Sequence, residues 1–236
     1  MRVLVTRPEP DGERTAARLV AMGHEPHLFP ALKVVYGNEP AGLAKPAGLV
    51  VTSANGARAL LGWTAAADWR DVPLYAVGAT SADVARSAGF TRVVSADGAI
   101  GDLADLVVRS FDPAAGTLLY PAARDRSGDF AGLVATHGID VTTVEAYRAD
   151  AAAKFDAETR TLLQKQAFGA VLVYSRRSGA VLAALLAAAG LTLARTHVVA
   201  LSQAAAAPFR PLQTAGIAVA GHPDEAHLLA MLPQRH

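Results

Sequence analysis

Side chains able to do chemistry gather at five points along this sequence. They are Thr6-Arg7, Thr52-Ser53-Ala54-Asn55, Gly78-Ala79-Thr80-Ser81, Tyr174-Ser175-Arg176-Arg177 and Ser202-Gln203. Each follows a short apolar run and precedes a stretch of helical character. Free backbone N–H groups at a helix start, together with the helix dipole, attract anions. Two sets of such turns facing each other would suit a ligand with several carboxylates or phosphates. Each point also has an everyday reading. Ser, Thr or Asn before a helix is an ordinary N-cap. Arg7 and Arg176 read equally as solvated charges. Gly78 would serve a tight strand-to-helix turn. Tyr147 is either a half-buried strand residue with a bonded hydroxyl or a functional phenol. Asp68, Trp69 and Asp71 read as a surface loop.

Several stronger chemistries are excluded. No GxGxxG follows a strand and no GxxxxGK[ST] occurs, so neither a dinucleotide nor a P-loop nucleotide is indicated. The seven histidines show no HExxH or other paired-ligand spacing, which argues against a metal site. The GxSxG elbow of an α/β-hydrolase is missing. Zero cysteines exclude disulfides, iron–sulfur clusters, thiolate zinc and a cysteine nucleophile. Lys+Arg 22 against Asp+Glu 21 gives a net charge of +1, without the clustered positive charge of a nucleic-acid binder.

The elements that must position these residues follow from 236 residues, 52% hydrophobic and 18% charged. That supports one large or two small domains with ample core, and it excludes disorder. Arg2 precedes only Val3-Leu4-Val5, too short for a signal peptide, so a cytoplasmic protein is expected. The uncharged run between Arg177 and Arg195 is alanine-rich and broken by Gly190 and Thr192. It predicts a buried helix entering a loop rather than a membrane span.

The chain repeats itself. Leu4 matches Leu119 and Gly23 matches Gly138, both at an offset of 115. Leu49 to Ser53 matches Val171 to Ser175 at 122, Leu74 to Gly78 matches Val198 to Ser202 at 124, and Val93 matches Ala218 at 125. Each unit is a short apolar run, a polar turn and a helix. Such runs suit parallel strands buried on both faces, linked by βαβ crossovers. In the first helix, Asp11 to Met22, Asp11 is the expected N-cap and Gly23 the stop. Leu19 and Val20 face a sheet there, while Arg14 and Arg18 face water. Pro30 to Tyr36 and Thr142 to Tyr147 lack the unit form and read as extended connectors.

Taken in order, these motifs resemble the uroporphyrinogen-III synthase family over essentially the whole chain. The resemblance rests on Thr6-Arg7-Pro8, Gly23, Pro30, Thr52-Ser53-Ala54-Asn55-Gly56, Val77-Gly78-Ala79-Thr80-Ser81, Val144-Glu145-Ala146-Tyr147, Ser175, Gly216 and Pro223. Two turns depart from the family pattern. Ser202-Gln203-Ala204-Ala205 stands where a second Gly-x-x-Thr turn belongs, and Arg176-Arg177 follows Ser175.

The resemblance implies an α/β fold of two similar domains, each a parallel sheet flanked by helices in flavodoxin or Rossmann fashion, joined by a two-stranded linker ladder. It places one discontinuous domain at 1–34 plus 150–236, the other at 37–142, and linkers at about 35–36 and 143–149. It implies cofactor-free cyclisation of hydroxymethylbilane, a linear tetrapyrrole with eight carboxylates, to uroporphyrinogen III. Ring D is inverted and water is lost. The substrate closes unaided to the uninverted isomer, so the enzyme must impose conformation. Tyr147 is the implied proton donor to the departing hydroxyl. Thr6, Arg7, Thr52, Ser53, Asn55, Gly78, Ala79, Thr80, Ser175 and Ser202 are implied substrate-binding positions, with no metal. The expected partners are the small-molecule substrate and, transiently, the preceding pathway enzyme. No nucleic acid or membrane is expected, and the chain is expected to be a monomer. A non-catalytic two-domain module that binds a tetrapyrrole-like polycarboxylate is the alternative.

Overall fold

The apolar runs become parallel strands, and the segments between them become helices that cover both faces. The computed structural model describes residues 1–126 and 128–233; positions 234–236 of the expected discontinuous domain lie outside them. In chain order the elements are β1 (Arg2–Val5), α1 (Asp11–Ala21), β2 (Glu25–Leu28), β3 (Leu32–Tyr36), β4 (Gly48–Val51), α2 (Ala54–Leu61), β5 (Leu74–Ala76), α3 (Ala79–Ser87), β6 (Val93–Ser95), α4 (Ile100–Ser110), β7 (Leu118–Ala123), α5 (Phe130–Ala135), β8 (Val141–Ala151), α6 (Ala157–Gln164), β9 (Ala170–Val173), α7 (Arg176–Ala189), β10 (Leu193–Ala200), α8 (Gln203–Ala206), β11 (Thr214–Val219) and α9 (Glu225–Ala230).

Two compact units result, Met1–Lys33 with Asp150–His236, and Val34–Ala149. The first holds a parallel sheet in the order β11-β10-β9-β1-β2. Its central strands are buried along their whole length at β9. Side chains split by alternation onto the two faces. Leu4, Val171, Val173 and Val198 pack with Leu182 and Leu186 of α7 and with Phe209. Val3, Val5, Leu172 and Val199 pack with Leu19 of α1 and Leu228 of α9.

The second sheet has the order β3-β8-β7-β4-β5-β6. β8, β7, β4, β5 and β6 run parallel. Beside β8, β3 runs antiparallel: Gly37 N donates to Ala146 O at 2.8 Å and Ala152 N donates to Ala31 O at 3.0 Å. Leu49, Val51, Leu74 and Leu119 meet Trp63, Trp69 and Phe90 on one face. Val50, Tyr75, Leu118 and Tyr120 meet Leu103, Val107, Phe130 and Val134 on the other. The chemistry-bearing turns therefore sit where strands of buried aliphatics end and helices begin.

The fold corrects several expectations. Asp11 is the first helical residue rather than the cap; Pro10 holds the N-cap position without a side-chain bond. The inward face of α1 is Gly12, Thr15 and Leu19, a 3–4 residue spacing that turns Val20 outward to 61% exposure. Trp69 is not in a surface loop. It ends a short 3₁₀ turn, Ala65–Trp69, that presses its indole into the core at 2% exposure. The helix α7 buries one face only, that of Ser178, Gly179, Leu182 and Leu186, and its alanines Ala180, Ala184, Ala187 and Ala188 are exposed. It stops at Gly190, whose φ of +64° favours glycine. β2 gave no sequence signal, because Glu-Pro-His-Leu carries no apolar alternation. It is an edge strand, where proline costs little. Among the described residues no helix is long and apolar enough to cross a membrane.

Candidate active site

The turn after β4 sends two consecutive side chains to two tyrosines. Thr52 Oγ1 lies 2.8 Å from the Tyr120 hydroxyl, at the β7 strand. Ser53 Oγ lies 2.6 Å from the Tyr147 hydroxyl, on β8. Ser53 also caps α2 in the ordinary way, accepting from Gly56 N at 3.3 Å. Gly56 belongs there because a Cβ would stand 2.9 Å from Pro121 O. Close packing of α2 on β7 thus sets the height at which Ser53 meets Tyr147.

Tyr147 reaches this position through an irregular register. Glu145 pairs with Ala122 and Tyr147 with Ala123, so Ala146 is the extra residue of a bulge. Strict alternation would send Ala146 and Tyr147 to opposite faces, whereas both join the same core cluster. The phenol is buried and its ring stands 6.5 Å from that of Tyr36, whose hydroxyl donates to Asn55 Oδ1 at 3.2 Å. Burial pushes the Tyr147 phenol above its ordinary range. The Ser53 bond opposes the rise, and the neighbouring Tyr120 and Tyr36 add to it. Tyr147 therefore holds its proton throughout the neutral range.

Thr52, Ser53, Tyr120 and Tyr147 line a cavity of about 400 Å³, with Val77, Ala99 and Ile100 as an apolar wall and Asp125, Arg126 and Gly128 at the β7–α5 turn. The room, the buried phenol and the few polar groups suit an organic ligand held by hydroxyls and one guanidinium. Of the expected positions, Thr52, Ser53 and Tyr147 come together here. Asn55 joins them through Tyr36. Gly78, Ala79 and Thr80 begin α3 next to Val77. Gly78 has φ −160°, which any residue adopts, and a Cβ there would meet nothing within 4 Å, so the turn does not require glycine.

The expected positions of the other unit are engaged differently. Thr6 is fully buried and its hydroxyl donates to Leu172 O at 2.7 Å, which spends it on the β1–β9 seam. Arg7 lies 3.3 Å from Glu225 and 3.6 Å from Asp11, stacked over the Tyr174 ring. Glu225 also receives Arg18, Thr15 and the Tyr174 hydroxyl, the last at 3.0 Å. Ser175 and Ser202 cap α7 and α8, accepting from Ser178 N at 3.1 Å and Ala205 N at 3.2 Å. The residues missed from sequence are Tyr36, Tyr120, Arg126 and Glu225. Tyr120 carried a faint signal: at the repeat offset of 115 its counterpart is Val5, so a hydroxyl-bearing ring stands where the other unit has an aliphatic.

The sequence profile of one family, described as uroporphyrinogen-III synthase HemD, matches residues 13–230. The chain belongs to the uroporphyrinogen-III synthase family. The match includes Tyr147 and both hydroxyl pairs, and it begins after Thr6 and Arg7. A crystal structure of uroporphyrinogen-III synthetase from Helicobacter pylori is similar with a TM-score of 0.66 at 14% identity, over 98% of each chain. A mutant uroporphyrinogen III synthase from Thermus thermophilus is similar at 0.53 and 16% identity, over 98% of this chain and 96% of that one. Likeness at these identities establishes the fold. No curated protein matches the sequence significantly. As a uroporphyrinogen-III synthase the chain cyclises the linear tetrapyrrole in porphyrin and heme biosynthesis.

Proposed function

We propose that the Tyr147 cavity is where this cyclisation is controlled, with Tyr147 as general acid toward the leaving hydroxyl. The carrying observation is the buried, proton-bearing Tyr147 phenol bonded to Ser53 at 2.6 Å in a cavity of about 400 Å³. As the C–O bond of the hydroxymethyl group breaks, the phenol proton goes to that oxygen and water leaves. The pyrrole nitrogen supplies the electron pair, giving an azafulvenium cation, and the proton released when the reclosed ring regains aromaticity returns to the phenolate. Ring D attacks through its substituted carbon, and the spiro adduct fragments and recloses with the ring inverted. Ser53 fixes the phenol's direction from the turn after β4. Much of the catalysis is positional, because the reactive end must be kept from direct closure.

Thr52, Ser53, Asn55, Gly78, Ala79 and Thr80 serve this unit's share of substrate binding. Thr6, Arg7, Ser175 and Ser202 contribute through backbone groups, since their side chains are committed inside the protein. The chain works as a cytoplasmic monomer that receives its unstable substrate from the preceding enzyme. The test is incubation of purified protein with freshly made hydroxymethylbilane, followed by isomer analysis. Excess type III over the spontaneous type I product is expected. Type I alone, at the uncatalysed rate, would convert the protein into a binding module.

A further inference from the structure

We propose that Arg126, with the Tyr120–Thr52 hydroxyl pair, forms a carboxylate-binding subsite beside Tyr147. The proposal rests on the reading of the Tyr147 cavity as the place where the tetrapyrrole is held. It adds a named anchor for one of the substrate's acidic side chains.

Tyr120 and Thr52 carry two O–H protons between them. Their 2.8 Å contact spends one, and the other remains to donate to a ligand. Tyr120 presents its hydroxyl from a fixed frame. Its ring is buried at 3% exposure and meets Phe130 edge-on, with centroids 5.8 Å apart. It also divides two cavities. Tyr120, Arg126 and Gly128 line both the cavity of Tyr147 and a second one of about 440 Å³ bounded by Asp129, Phe130, Ala131 and Thr143.

Arg126 is the only cation among the described residues lining either cavity. Unlike Arg7 and Arg18 on Glu225, or Arg124 on Glu145, it has no ion-pair partner among the described residues. The acidic lining residues do not fill that role. Asp129 is committed to capping α5 at Gly132 N, 3.1 Å away, and Asp125 makes an interaction of its own. A guanidinium without a carboxylate, next to an O–H donor and an apolar wall, is complementary to a carboxylate. The hydroxymethylbilane side chains are carboxylates. Arg126 would then hold a pyrrole by its edge while the neighbouring Tyr147 faces the reacting carbon.

The experiment measures kcat and KM for hydroxymethylbilane with Arg126→Met, Arg126→Lys, Tyr120→Phe and, as reference, Tyr147→Phe, together with melting temperatures. Loss of one charge-assisted contact at an exposed guanidinium should raise KM about tenfold in Arg126→Met, with a smaller change in kcat. Arg126→Lys should recover most of that loss, and Tyr120→Phe should raise KM several-fold. Should Tyr120→Phe melt far below wild type, Thr52→Val tests the same hydroxyl pair. An unchanged KM in Arg126→Met, or a fall in kcat alone, overturns the subsite. So does an Arg126→Lys enzyme as impaired as Arg126→Met. A raised KM in Arg126→Met beside a wild-type rate in Tyr147→Phe would keep the subsite and remove the acid role. The reverse pair of results would do the opposite.

Discussion

Replacing Tyr147 by Phe removes one oxygen and leaves the ring. Among the described residues that oxygen has one partner, Ser53 Oγ at 2.6 Å, while the ring belongs to the core cluster that includes Val144, Ala146 and Leu119. The lost hydrogen bond is worth ~0.5–1.5 kcal/mol net, and Ser53 keeps its bond to Gly56 N, so no buried group is stranded. For a chain of this size ~1 kcal/mol corresponds to roughly 2–4 °C in melting temperature. The rate should respond far more. A positioned general acid contributes ~10²–10⁴-fold, and the lower end applies because the pyrrole already activates its hydroxyl, so kcat should fall about 100-fold. Ser53→Ala removes the α2 cap, costing ~1 kcal/mol of stability. It frees the phenol without deleting it, so its kcat should fall only several-fold. In Tyr147→Phe the second substitution should cost almost nothing further in rate. Initial rates with fresh hydroxymethylbilane, isomer ratios and thermal melts on the three variants decide. A Tyr147→Phe enzyme with the wild-type rate, or an inactive Ser53→Ala enzyme of wild-type stability, would refute this assignment of roles.

Four further outcomes are expected. Burial raises the Tyr147 pKa above its usual value of 10, so the alkaline fall in kcat due to this group is centred above pH 10 and disappears in Tyr147→Phe. In the same range the unfolded chain loses that proton first, so stability falls as pH rises; a denaturation series from pH 8 to 11 measures it. Trp69→Ala empties a core position and should cost ~3–5 kcal/mol in urea titration, against the ±0.5 kcal/mol typical of a surface loop residue. Gly56→Ala places a Cβ 2.9 Å from Pro121 O, so α2 must shift. A stability loss of ~1–3 kcal/mol is expected, with a rate loss that Ala at exposed Gly101, which meets nothing within 4 Å, should not show.

The strands were legible where both faces are buried. Leu49-Val50-Val51 and Val171-Leu172-Val173 can only be buried strands or helix cores, and the polar turns on either side bound them to strand length. β2 was not legible, because an edge strand need not be apolar. Trp69 was misread for a related reason: flanking aspartates suggested water, but a 3₁₀ turn lets one side chain point inward while Asp68 and Asp71 stay out. The serines at the helix starts were legible as caps, and Ser53, Ser175 and Ser202 all accept a backbone N–H in that way. What distinguishes Ser53 is a contact across 94 residues, made possible by a bulge at Ala146. No local pattern encodes such a register shift. Tyr120 and Arg126 were hidden similarly, since their relevance depends on which strand end stands next to β4.

The repeat makes the contrast between the two units informative. Thr52-Ser53 and Tyr174-Ser175 occupy corresponding turns at an offset of 122, and both turns place a hydroxyl next to a capping serine. At Tyr174 that hydroxyl meets Glu225, and the same carboxylate gathers Arg7, Arg18 and Thr15. Burial, with Glu225 adding to it, pushes the Tyr174 phenol well above its ordinary range, so its proton stays in the bond. The anion position there is filled by the protein itself. At Thr52 the hydroxyl meets Tyr120, the nearby Arg126 has no ion-pair partner among the described residues, and a cavity lies beside them. One repeated arrangement, a helix start with donors at a strand end, thus has two outcomes. An internal glutamate turns it into a structural cluster. At the Thr52 turn the proposed subsite leaves Arg126 and the Thr52–Tyr120 pair for a carboxylate brought by the substrate.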